Sequence, residues 1–352
     1  MNCCREAADS KKEESEKYLA LLEKTADEAL KFFRKRPDWR TGGHLAALAV
    51  ACYSARLDKQ AVELYTELID YHKSRNRGRT DDHTLSSYYQ NLAQCESRLG
   101  HLEKAVDAAC GSIVCWGRNA DYRRNAISNL ASILRSAKDL NAYVAKLDEE
   151  TEKTGLEKPV VRRALGEVYL SKGDLKNARA QYEAYLDLQP YDVQAQDALL
   201  QTLERLGDIP ATIAQIHRAI IAMPEVIKYY QKLAALELKQ ENKDAAIRAA
   251  TSAVDALPEE SQSHQQLAQF FEQLKEYDEA LNQWDQVDRI RSLEDTGLRM
   301  KGELLYRLER LEELKGVLDA YNKRFPGRSS SIKHRYEQLK QKKERATNAT
   351  RT

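Results

Sequence analysis

Apolar residues recur along this chain at three- and four-residue intervals, in runs separated by short polar breaks, which is the pattern of amphipathic helices. Between Pro159 and Tyr191, Leu165 and Tyr169 share one helix face, and Ala178, Tyr182 and Tyr185 fall on the helix that follows. Gly173 lies between the two runs, where a turn needs cheap positive φ. Gly166 and Ala178 lack bulk, so the two helices can approach closely there. Pro190, Pro224, Pro258 and Pro326 sit on one 34-residue ruler, with Ser292 at the vacant mark. Proline cannot continue a helix, so each mark closes a helical pair. No strand-like alternation with turn signals accompanies this pattern.

The packing residues repeat with the prolines. Successive repeats after the first quoted carry Leu199, Leu203, Gly207, Ile216 and Ala219; then Leu233, Ala234, Ala246, Ala250 and Ala253; then Leu267, Ala268, Phe271, Ala280, Trp284 and Val287; then Gly302, Leu305, Leu314, Leu318 and Tyr321. Less regular repeats precede them, with Leu48, Ala49, Cys52, Ala61, Tyr65 and Leu68; Leu92, Ala93, Gly100, Ala105 and Ala109; and Leu130, Ala131, Leu134, Tyr143 and Leu147. These residues resemble the tetratricopeptide repeat (TPR). The resemblance covers roughly four fifths of the chain, as about eight repeats. It implies an all-α, right-handed α-solenoid of stacked antiparallel helix pairs, a TPR superhelix. Tyr143 and Leu314 stand where the family has alanine and are expected to splay their pairs or be offset by smaller neighbours.

The organisation expected from this ruler has four parts. Residues 1–41 are an N-terminal extension with one amphipathic half-repeat helix, from about Glu13 to Arg36, along whose face lie Tyr18, Leu22, Ala29 and Phe33. Residues 42–158 hold degenerate repeats one to three, with a basic loop inserted at 74–83. Residues 159–328 hold repeats four to eight in one register. Residues 329–352 form a basic capping helix with Ile332, Tyr336 and Leu339 on one face, Ser330 or Ser331 as its cap, and a tail that frays after about Lys343. No polished cap is visible in the first forty residues, as expected if the array ends a longer protein.

Composition narrows the function classes. Lys+Arg is 56 and Asp+Glu is 55 over 352 residues, a balance that argues against a general nucleic-acid binder. No apolar run reaches membrane-spanning length and no secretory signal is visible, so a cytoplasmic location is expected. Six cysteines show no Cys-x-x-Cys spacing and read as small buried hydrophobes in a reducing compartment. No phosphate loop, zinc-protease motif or nucleophile elbow occurs, so neither catalysis, cofactor nor metal is expected. His44, His101, His217 and His264 are scattered over different repeats and read as surface or groove residues.

The resemblance also implies where partners dock: first helices line a concave groove, at the second, fifth, sixth and ninth places of each repeat. Those places hold many primary amides, which both donate and accept. The candidate contacts are Gln90, Asn91, Asn129, Arg163, Lys228, Gln231, Lys232, Gln262, Gln265, Gln266 and Gln269. A row of amides suits the main chain of an extended peptide, with the cations adding preference for carboxylates. The family's carboxylate clamp is only half matched, because Glu167 and Ala198 replace its asparagines. The expected function is a non-catalytic scaffold or adaptor that binds a partner peptide or helix in the groove. The alternatives are an RNA-binding helical repeat, the interaction module of a larger enzyme or complex, and self-assembly through the ends.

Overall fold

The computed structural model describes residues 12–35, 43–75, 83–115, 120–153, 156–328 and 330–349. Among them are eighteen helices and no strand. They divide into two compact bodies, Met1–Asp208 and Ile209–Thr352. The N-terminal body carries α1 (Lys12–Lys35), α2 (Gly43–Ser54), α3 (Asp58–Arg75), α4 (His83–Arg98), α5 (Leu102–Cys115), α6 (Ala120–Arg135), α7 (Leu140–Lys153), α8 (Lys158–Lys172), α9 (Leu175–Leu188) and α10 (Val193–Leu206). The C-terminal body carries α11 (Ile209–Ala222), α12 (Lys228–Lys239), α13 (Lys243–Ala256), α14 (Ser261–Gln273), α15 (Tyr277–Ile290), α16 (Asp295–Arg307), α17 (Leu311–Arg324) and α18 (Ser331–Ala349). Most of the basic loop at 74–83 lies outside the described residues.

One backbone device makes the pairs. In five consecutive repeats the residue that follows the first helix is left-handed: Gly173 at φ 77°, Gly207 at 71°, Glu241 at 61°, Lys275 at 62° and Glu309 at 57°, all on the 34-residue ruler. At each of these turns the amide of that residue and the one after it fold back on the helix. Gly173 N donates to Leu170 O at 3.1 Å and Asp174 N to Tyr169 O at 3.0 Å; Lys275 N donates to Glu272 O at 3.1 Å and Glu276 N to Phe271 O at 2.9 Å. These bonds satisfy carbonyls that the helix end leaves orphaned. Asp174 then starts the second helix by accepting from Asn177 N, and Asp192 starts α10 by accepting from Gln194 N and Ala195 N.

Packing follows the small residues. α4 lies closely on α5, α8 on α9, α12 on α13 and α14 on α15. Ala178, Ala246 and Ala280 are fully buried in these seams. A Cβ at Gly166 would stand 3.1 Å from the Tyr182 ring, so this glycine makes the room in which Tyr182 is buried. Where Leu314 replaces alanine, the pair loosens. α16 and α17, with Leu314 in the seam, pack less closely than α14 and α15. α7, which carries Tyr143, meets α8 thinly, and α6 lies directly against α8.

The two end helices cover apolar faces. α1 buries Leu22, Ala26 and Leu30 and half-buries Ala29 against α2 and α3; the side chains of Tyr18 and Phe33 lie outside the described set. α18 packs on both α16 and α17, burying Ile332 and Leu339 and half-burying Tyr336. Ile332 seats where Gly302 has no side chain, and Arg335 pairs with Glu303 at 2.8 Å. Ser330 Oγ stands 3.5 Å from the Lys333 amide, at the capping offset. The helix does not stop near Lys343 but continues to Ala349, as its lysines, glutamates and alanines and the Lys340–Glu344 pair allow.

Candidate partner-binding clefts

In the C-terminal body the first helices α12 and α14 border a cleft of about 390 Å³. Its apolar lining is Tyr230, Ala234, Ala235, Leu238, Leu267 and Phe270, floored by Ala250 and Ala253 of α13. Gln231, Gln266, Gln269 and Gln273 bring primary amides to it, and no charged side chain lines it. Gln266 Oε1 is buried without a hydrogen-bond partner. An acceptor in that state carries a desolvation cost that a donor from a bound chain would relieve.

In the N-terminal body α4 and α6 border a more polar cleft of about 560 Å³. Gln90, Gln94, Ser97 and Arg98 face it from α4, and Asn125, Ser128, Asn129, Ser132 and Ile133 from α6; Tyr53 and Arg56 complete it. Gln90 Nε2 and Asn129 Nδ2 are buried donors without a partner. Arg98 is held by Asp58, its Nε 2.8 Å from Oδ1, and stacks over the Tyr53 ring.

Arg163 lies elsewhere in this body, in a third cleft of about 350 Å³ with Arg124, Ile127, Tyr185, Tyr191 and Asp192. It is hydrogen-bonded to Asp192 and to Gln194 Oε1 at 3.0 Å, and its Nε, which has no hydrogen-bond partner, lies 3.5 Å from the Glu167 carboxylate. Burial opposes its charge, but Asp192 and Tyr185 outweigh that and hold its pKa above the usual value. Burial also lifts the Glu167 carboxyl above the ordinary carboxylate range, against the pull of Arg163. The charge of this guanidinium is therefore already matched from within the chain.

The candidate residues thus separate. Gln231, Gln266 and Gln269 converge on one cleft, and Gln90 and Asn129 on another. Gln262 and Gln265 are exposed and line neither. Lys228 stands 5.1 Å from the Tyr229 ring, and Lys232 is half-buried; neither lines the cleft beside them. Asn91 donates to the Tyr65 hydroxyl at 2.9 Å, which ties its amide to the core. Gln273, Phe270, Tyr230 and Arg56 line clefts without having been singled out from the sequence. The first two continue the three- and four-residue spacing from Gln266, a usable signal; Arg56 sits in a hairpin turn, where periodicity says nothing.

His264 differs from expectation. It is buried, with Nε2 at 3.0 Å from Pro258 O and Nδ1 at 2.8 Å from Gln283 Oε1. Two repeats earlier Gln196 Nε2 bonds Pro190 O at 3.1 Å, so both residues satisfy the carbonyl of a repeat-closing proline. Cys52, Cys95 and Cys110 are buried, and burial pushes their thiols up to about 11, 12 and 12 respectively. Among the described residues no group of three or more His, Cys, Asp or Glu could hold a metal ion, and no helix is long and apolar enough to cross a membrane.

No protein-family model matches this chain, and no curated protein matches it in sequence. Among solved structures it is similar to a MamA protein (18% identity, 49% of this chain and 98% of that one, TM-score 0.34) and to MamA from Desulfovibrio magneticus RS-1 (18%, 60% and 97%, TM-score 0.30). It is also similar to pilF of Pseudomonas aeruginosa (12% identity, 73% of this chain and 97% of that one, TM-score 0.34). Likenesses at this level carry no functional inference. The internal features decide the architecture: the 34-residue register, the left-handed turn at its fixed place and the buried small residues in the seams make an all-helical array of antiparallel pairs, consistent with tetratricopeptide repeats.

Proposed function

We propose that this chain is a non-catalytic protein-interaction scaffold that takes an extended partner segment along its first helices, with the α12–α14 cleft as a principal seat. The observation that carries this reading is the convergence of Gln231, Gln266, Gln269 and Gln273 over an apolar floor, with Gln266 Oε1 buried and unpartnered. Apolar side chains of the partner enter between Leu238 and Phe270 and supply most of the affinity by leaving water. The amides pair with the partner's main chain, which fixes its path with modest demand on its sequence.

The test uses two variants of the full chain. One replaces Gln231, Gln266 and Gln269 with alanine; the other replaces Gln262 and Gln265. Both should keep wild-type helicity and melting. Proteins captured from a native lysate by the wild type should be lost with the triple variant and kept with the double. Equal capture by the triple variant would remove the cleft from the binding site.

A further inference from the structure

The polar cleft between α4 and α6 invites a different ligand chemistry. Every titratable group on its lining is basic or a tyrosine: Arg56, Arg98 and Tyr53, with no carboxylate. The Arg98 charge is matched by Asp58 at 2.8 Å. Arg56 is exposed and makes no ion pair among the described residues, so the lining holds one unmatched cation. Asn129 is only 9% exposed, faces the cleft, and leaves Nδ2 without a partner; Gln90 Nε2 is in the same state. Gln94 does not relieve them: its Oε1 accepts from the Tyr53 hydroxyl, and neither Nδ2 of Asn129 nor Nε2 of Gln90 has a hydrogen-bond partner. A cation and two desolvated, unpartnered donors facing one space that no carboxylate lines are complementary to an oxyanion.

We infer that the α4–α6 cleft is a carboxylate-recognition site, occupied by an Asp or Glu side chain within an extended segment of a partner protein. Arg56 meets the carboxylate charge, and Asn129 and Gln90 donate to its oxygens. One unmatched cation balances a single negative charge, whereas a phosphate carries about two. The lining continues through Ser97, Asn125, Ser128 and Ser132 on either side of Asn129, which suits a chain passing through the cleft better than a chain end. This inference rests on the scaffold reading but uses other residues in the other body.

The experiment pans a library of random 12-residue peptides, fused at their C-termini so that only side-chain acids are offered, against the full chain and its variants. Wild type should enrich Asp or Glu at one position, and changing that acid to its amide should weaken binding about tenfold or more. Arg56→Gln and Asn129→Asp should each lose the acidic preference. The first is exposed, and the second keeps shape while turning a donor into an acceptor; unchanged melting confirms that both fold. The Gln231, Gln266 and Gln269 triple variant should retain the preference. Binders without acidic enrichment, enrichment that survives Arg56→Gln and Asn129→Asp, enrichment seen only in a second library with free C-termini, or tighter binding with phosphoserine in place of the acid would each overturn the assignment. If lysate capture still depends on the three glutamines in that event, only the carboxylate site falls. If capture is also indifferent to them, the scaffold reading falls with it.

Discussion

The two bodies use the same repeat to build unlike clefts. Between α4 and α6 the lining is polar and carries an unmatched arginine with two idle donors; between α12 and α14 it is uncharged, apolar at its floor, and carries an idle acceptor. Both clefts are made by neighbouring first helices at equivalent places. The difference teaches that the helical pair supplies location, whereas the residues at a few places supply chemistry. Even the unmatched cation of the N-terminal cleft comes from a turn residue, Arg56, which the helical pattern does not govern.

The seams offer the harshest way to break this comparison. Tyr182 and Trp284 occupy the same place three repeats apart, one in each body, and both are buried. Tyr182 lies over Gly166; Trp284 lies in a seam whose equivalent residue is Ala268, and its Nε1 donates to Glu272 at 3.0 Å. Each truncation, Tyr182→Ala and Trp284→Ala, should cost about 3–5 kcal/mol, because a ring-sized cavity cannot close. Urea midpoints give the size, and hydrogen exchange gives the place: protection should fall first in α8–α9 for one and in α14–α15 for the other, since repeats pack mainly on their neighbours. Equal loss of protection across all helices of the body would show that its pairs do not behave as separate packing units.

Ionic strength should sharpen the comparison at smaller energy. Raising salt from about 0.05 M to about 0.5 M shortens the screening length severalfold. An acidic peptide selected on the α4–α6 cleft should then bind about tenfold more weakly, a change of about 1.4 kcal/mol. A peptide that depends on Gln231, Gln266 and Gln269 should change by less than about twofold, because that lining holds no charge. Fluorescence anisotropy of the two labelled peptides reads both. Equal salt slopes would remove the chemical distinction between the clefts.

Much of the architecture was legible because it rests on period. The 34-residue ruler locates the pairs, Gly173 and Gly207 announce their turns, and Ala178 and Gly166 announce a close seam. The clefts were less legible because their linings depend on which helices become neighbours. Gln262, Gln265, Gln266 and Gln269 read alike as a row, yet only the last two reach the space beside Phe270. Asn91 reads as a groove amide, yet it meets Tyr65 from 26 residues away. His264 reads as a surface or groove residue because nothing local shows that Pro258 O needs a donor. Such contacts are set by tertiary approach, which a one-dimensional pattern does not carry.

The hairpin turns give the smallest effect and the most direct comparison of the bodies. Where a turn has a left-handed residue, in the N-terminal body it is Gly100, Gly173 or Gly207, with Arg56 the exception, and in the C-terminal body it is Glu241, Lys275 or Glu309. All adopt the left-handed region, with φ from 57° to 82°. A side chain there crowds its own backbone, whereas glycine adopts the conformation freely. Yet the same fold-back bonds form: Asn242 N reaches Glu237 O at 2.9 Å, as Asp208 N reaches Leu203 O at 3.2 Å. The C-terminal turns are therefore held by the packed helices on either side rather than by local preference. Glu241→Gly, Lys275→Gly and Glu309→Gly should each stabilise the chain by about 0.5–1 kcal/mol, less the entropy glycine adds to the unfolded state. Gly173→Ala and Gly207→Ala should destabilise it by about 1 kcal/mol. Urea midpoints of the five variants should thus move in opposite directions in the two bodies. A loss of stability on Lys275→Gly would mean that its side chain contributes more than its backbone strain costs, and that the turn is held by contacts of the lysine itself.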